Sequence, residues 1–181
     1  MNHNRLDIEE RIKEITTMCD REQPIYEQIS NFSIALYVFG FFECTDLLSA
    51  DDVDHVDAGA ILQKDFIKIK KEEIPFNYQI TRSLDNFLMV IGDPVFPSHF
   101  AVVADMKSPK PYFSKLPFFG SGFDSLEELK RDFVGIDGIT SDDISYYRMK
   151  RSYQQSENKV AKIYTINRDG TYDVMENKYA N

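Results

Sequence analysis

The chain is expected to fold as an α+β domain, with two N-terminal helices packed on a mainly antiparallel sheet and a β-hairpin at the C-terminus. Three features carry that expectation. Ile8, Ile12, Ile15 and Cys19 recur at steps of four, three and four, the spacing of one helical stripe. From His99 to Asp105 the chain alternates instead: residues 99, 101, 103 and 105 share one side of a strand, and Phe100, Val102 and Ala104 the other. Near the end, KVAKIYTINRDGTYDVMEN holds two alternating segments joined through Asp169-Gly170, residues that tolerate the positive φ of a tight primed turn.

Taken in order, the first helix is expected over about residues 5 to 19, with Asn4 and Asp7 as an N-terminal capping signal. Pro24 suits a first helical position. Ile25, Ile29, Phe32, Leu36 and Phe39 continue the helical spacing, so a second helix is expected from there toward Leu48. The stretch 43–58, ECTDLLSADDVDHVDA, carries acids and no Lys or Arg, and reads as a solvated loop. KDFIKIKKEEI follows as a short strand or lysine-guarded edge. FLMVIGD, HFAVVADM and PYFSKLPFF then read as three strands separated by proline-bounded turns. Ser125 with Glu128 makes an S-x-x-E capping box ahead of Leu126, Leu129 and Phe133, which predicts a third helix over about 125 to 134.

No repeat or break in composition divides the chain, so residues 1–181 are expected to form one domain. Hydrophobic residues make up 43% of it, including 14 Phe and 10 Tyr, enough for a substantial core. The net charge of -9 argues against nucleic acid and anionic membranes as partners, since both recruit clustered positive charge. Two cysteines without C-x-x-C spacing indicate a reducing compartment. The polar N-terminus lacks the pattern of a secretory signal. The apolar run 32–42 is shorter than the roughly 20 residues a spanning helix needs. A cytoplasmic protein that binds no membrane is therefore expected.

Two segments suggest covalent chemistry. FECTDLL around Cys44, followed by GDPVFPSHFAVV around His99, resembles the cysteine and histidine segments of papain-like cell-wall peptidases and amidases. The resemblance implies a cysteine hydrolase with Cys44 as nucleophile and His99 as base, and Asp105 or Ser114 is a conceivable orienting group. Such chemistry needs a thiolate, favoured by a helix N-terminus and a neighbouring imidazolium. Three features depart from the pattern. Cys44 falls near the end of an apolar helix, Thr45-Asp46 replaces the small residues after the nucleophile, and Pro111, Tyr112 and Phe113 stand where a third polar group belongs. The simpler expectation is a Cys44 buried among apolar neighbours and a His99 that opens a buried strand.

Other constellations suggest binding. Asp51, Asp52, Asp54 and Asp57 surround His55. Their spacing matches neither a calcium loop nor a two-histidine zinc helix, so no metal is expected, whereas a docking face for a basic protein is. Gly120, Ser121 and Gly122, in GSGFDS, form a glycine-rich entry to a helix, a place hospitable to anions. The flanking Phe118, Phe119 and Phe123 read as a packed connection. Tyr146 to Lys162 is a basic, aromatic tail that could contact a protein or RNA surface, or pair with the 43–58 acids. No cofactor motif is complete. The leading expectation is a small acidic binding or inhibitor protein, immunity- or antitoxin-like, that occludes a basic protein partner.

Overall fold

The computed structural model describes residues 3–22, 28–151, 161–166 and 172–177. The chain divides into two compact units, residues 1–150 and 151–181. Helix α1 (His3–Met18) is already under way at His3, so Asn4 lies inside it rather than ahead of it as a cap. Ile15 and Cys19 are buried, with Ile8 and Ile12 half-buried beside them, as their spacing requires.

Helix α2 (Asn31–Val38) starts where the Ser30 hydroxyl accepts from the Ser33 amide. Every residue from Phe32 to Val38 is buried, which makes this an interior helix rather than an amphipathic one. It stops well short of Leu48. Gly40 adopts φ +87°, its amide donates to the Tyr37 carbonyl, and the Phe41 amide donates to Leu36. These are the two bonds of a Schellman ending, which glycine permits without a Cβ clash. Pro24 lies outside the described residues.

After the short α3 (Leu47–Ala50) comes α4 (His55–Asp65), so the second half of the acidic stretch is helical where a loop was expected. Asp54 accounts for the difference: its carboxylate accepts from the Val56 and Asp57 amides and caps the helix. Strand β1 (Phe66–Ile69) follows as expected.

The main sheet also contains β2 (Phe87–Asp93), β3 (Phe96–Val103), β4 (Tyr112–Lys115), β5 (Ser121–Asp124) and β6 (Ile144–Met149). Its order is β1-β6-β2-β3-β4-β5, and every pairing is antiparallel. The sequence reading missed β6, whose residues it assigned to a surface tail. Tyr146 and Tyr147 point to opposite faces yet are both buried, because β6 lies inside the sheet with cover on both sides. The Tyr146 hydroxyl meets that of Tyr112 at 3.0 Å.

Alternation along β3 assigns the two layers. Phe32 of α2 meets Phe100 edge-on at 4.9 Å, so α2 covers the Phe100 face. On the opposite face Phe133 of α5 (Leu126–Phe133) stacks on His99 at 4.4 Å. The α5 capping box forms as predicted, with the Ser125 and Glu128 side chains each accepting from the other's amide. Lys110 also bonds Glu128 and, as the main cause, holds its carboxyl well below the usual range.

GSGFDS is an edge strand more than a free loop. The Ser121 amide donates to the Cys19 carbonyl at 2.6 Å, and Asp20 bridges Ser121 in parallel. A Cβ on Gly120 would lie 2.1 Å from the Asp20 carbonyl oxygen, so glycine is what lets residues 19–21 close this edge. The C-terminal hairpin pairs β7 (Ala161–Ile166) with β8 (Tyr172–Asn177) in a separate two-stranded sheet. Its Asp169-Gly170 turn lies outside the described residues.

Candidate functional site

Arg21, Ser114, Gly122 and Asp124 gather on the His99 face of the sheet. Arg21 passes over Gly122, where a Cβ would approach its Nε to 2.9 Å, and bonds the Asp124 carboxylate through two nitrogens. Asp124 is 3% exposed and His99 0%. Neither ring nitrogen of His99 has a hydrogen-bond partner among the described residues. Burial pushes its pKa down to about 3, helped by the Arg21 and Lys115 cations. A ring so poor at holding a proton is a weak general base at neutral pH.

Cys44 is exposed, contrary to the expected burial; Cys19 is the buried thiol. The apolar neighbours expected around Cys44 belong to α2, which has already ended at Val38. His99 makes no hydrogen bond to Cys44, to Ser114 or to Asp105. Asp105 instead accepts from the Gln79 side chain and the Lys107 amide. The structure therefore does not assemble the nucleophile, base and orienting group that the papain-like resemblance implies.

The acidic residues serve partly as architecture. Asp52 accepts from the Ser30 amide and the Ser33 hydroxyl, and Asp54 caps α4. Asp51 and Asp57 are exposed. Among the described residues no group of three or more His, Cys, Asp or Glu could hold a metal ion. At the glycine-rich stretch, the Ser121 amide is taken by Cys19 and the Glu128 amide by Ser125, so two donors that an anion would need are already in use.

A more open site lies at the β4–β5 connection, Leu116-Pro117-Phe118-Phe119-Gly120. The Phe119 amide donates to Leu116 at 3.2 Å and the Leu116 amide to Gly120 at 3.3 Å. Proline stands second in this turn and a positive φ third, the combination of a type II turn, which usually calls for glycine or asparagine in the third place. Here it is Phe118, at φ +63° and 92% exposed. That backbone costs a residue bearing a Cβ about 1–2 kcal/mol, and a side chain in water recovers none of it. Phe119 beside it is also exposed, so the expected packed connection is an outward aromatic tip.

The tip forms one wall of a cleft of about 470 Å³, whose lining also includes Phe133, Ile136, Ile139, Ser98 and His55. Asp132 and Asp137 line it too, and neither carboxylate has an ion pair among the described residues. No lysine or arginine lines the cleft. The His55 Nδ1 sits 2.7 Å from the Pro97 carbonyl. A carbonyl only accepts, so Nδ1 carries the proton, and whenever the ring is neutral Nε2 is its acceptor.

Sequence reasoning singled out His55 for its acidic neighbours but missed this cleft. The available signal was Leu-Pro-Phe-Phe-Gly, two aromatics directly after a turn-forming proline. Among the described residues, no helix is long and apolar enough to cross a membrane. The fold and site thus define an α+β protein with a covered antiparallel sheet and an exposed aromatic cleft. Comparison with protein-family models, curated proteins and solved structures finds no match.

Proposed function

We propose that this protein is an acidic binding or inhibitor protein, immunity- or antitoxin-like, that acts by occluding a basic protein partner through the face around the β4–β5 tip. The observation that carries this reading is Phe118: a large aromatic held in a costly backbone conformation and turned to solvent. Folding selects against both features, whereas interfaces favour rigid aromatic anchors. Phe119 and Ile136 extend the apolar surface, and Asp132 and Asp137 supply negative charge around it. The net charge of -9 steers a basic partner toward the protein from a distance.

The test is affinity purification of the full chain from the cell that makes it, in parallel with a Phe118→Ser/Phe119→Ser variant. The wild-type protein is expected to carry a stoichiometric basic protein whose retention weakens by about a hundredfold in the variant, the effect of losing an interface hot spot. Recovery of no stoichiometric partner, or equal retention by both, overturns the reading.

A further inference from the structure

We propose that the cleft between the β4–β5 tip and the end of α5 receives an arginine side chain of a partner protein, presented beside an apolar residue. This rests on the binding reading above and specifies its chemistry. The polar groups of the lining point one way. Asp132 and Asp137 offer carboxylates without ion pairs, and the His55 ring, with Nδ1 held by Pro97, offers Nε2 as an acceptor when it is neutral. The Ser98 hydroxyl is the remaining polar side chain, and no cation opposes them. An occupant must therefore bring donors and positive charge.

The rest of the lining is aromatic and aliphatic, with the Phe118 and Phe119 rings exposed at the rim. Both partners of that mixture suit arginine: its flat guanidinium stacks on aromatic faces and donates along several directions to carboxylates, while its methylene stem covers apolar surface. A lysine ammonium is more strongly hydrated and cannot stack in this way. The volume of about 470 Å³ leaves room for an adjoining apolar side chain, which explains an apolar wall larger than one guanidinium needs.

The experiment uses the full chain, labelled with nitrogen-15, and three probe peptides: acetyl-Phe-Arg-Phe-amide, its citrulline counterpart and its glutamate counterpart. The arginine peptide is expected to shift the amide signals of Leu116, Phe118 and Phe119 and of residues 132–139. It should bind about tenfold more tightly than the citrulline peptide, which keeps the shape and loses the charge. Asp132→Asn/Asp137→Asn, at two exposed positions, should remove that preference while leaving the spectrum of the free protein otherwise unchanged. Equal binding of the arginine and citrulline peptides overturns the proposal, as does a preference that survives in the double variant or a set of shifts elsewhere. Free arginine amide binding as tightly as the tripeptide also overturns it, because the site would then serve a small cation rather than a protein segment. A partner recovered and lost with the Phe118 variant, alongside peptides bound equally, sinks this inference and leaves the binding reading standing. Arginine-selective peptide binding without any stoichiometric partner does the reverse.

Discussion

Around His99 the protein buries charge, and at the nearby β4–β5 tip it exposes aromatic rings. Arg21 and Asp124 pair on the His99 face of the sheet with Asp124 almost wholly hidden, while Phe118 stands nearly free of its own molecule. The first arrangement has an architectural purpose: the Arg21–Asp124 pair and Gly120 fasten residues 19–21 against the edge of β5. That edge would otherwise present unpaired backbone groups to other chains. The second has no such purpose. Polar groups drawn inward can be explained by the fold they complete, but apolar groups held outward at a backbone cost call for something outside the fold.

Breaking the interior side should cost most. Asp124→Ala leaves the partly buried Arg21 guanidinium without its counter-charge and is expected to lower unfolding stability by about 3 kcal/mol, read as a lower denaturation midpoint in urea. Gly120→Ala forces a Cβ onto the Asp20 carbonyl and should cost about 2 kcal/mol, the range of an overpacked contact. Faster hydrogen exchange of the Ser121 amide would show that the edge has opened.

The buried imidazole makes the interior sensitive to acid. The folded pKa of His99 is pushed down to about 3 from an ordinary 6.5, so the folded protein favours the neutral ring. Its contribution is fully present above pH 6.5. As pH falls toward 3, the unfolded chain binds a proton that the native chain refuses, and stability drops by up to about 1.4 kcal/mol per pH unit. Denaturation curves from pH 7 to pH 4 should show this slope, and His99→Leu should flatten it.

The exterior side should respond in the opposite sense. Phe118→Asn places a residue tolerant of the left-handed conformation at φ +63° and removes no packing, so the melting temperature should rise, corresponding to a gain of about 0.5–1 kcal/mol. A loss of stability there would mean that the aromatic tip supports the fold and that the contrast between the two regions is false. The smallest effect is expected at Cys44. Its alkylation rate at neutral pH should be the same in wild-type protein and in His99→Leu, since the imidazole makes no hydrogen bond to it. A quenched rate would revive the papain-like reading.

Legibility in the sequence followed the range of the interactions. The α5 capping box, the helical stripe of α1 and strands β1 and β2 rest on patterns spanning a few neighbours and lie where those patterns indicate, whereas β3 already begins at Phe96, so that His99 stands inside the strand instead of opening it, and β4 ends at Lys115. The stop at Gly40 was also written locally, in a glycine after a helical run, but the helical spacing that reaches Phe39 pointed to continuation through it. Strand β6 was hidden because Ile-Ser-Tyr-Tyr-Arg-Met has no clean alternation. A strand covered on both faces does not need one, and its pairing with β1 and β2 joins segments far apart in the chain. Burial of Cys44 was misjudged because an apolar flank in sequence was taken for an apolar surrounding in space.

By itself the sequence determined the stripe of α1, the capping box of α5, strands β1 and β2, and the negative charge that any partner meets. Only the tertiary structure decided that GSGFDS is an edge closed by Arg21, that His99 is sealed behind Phe133, and that Phe118 and Phe119 face water across a cleft from α5. Periodicity and capping act through contacts a few residues apart, so they are written in order along the chain. Exposure depends on what distant segments bring alongside a residue, and that is settled when the layers close around the sheet.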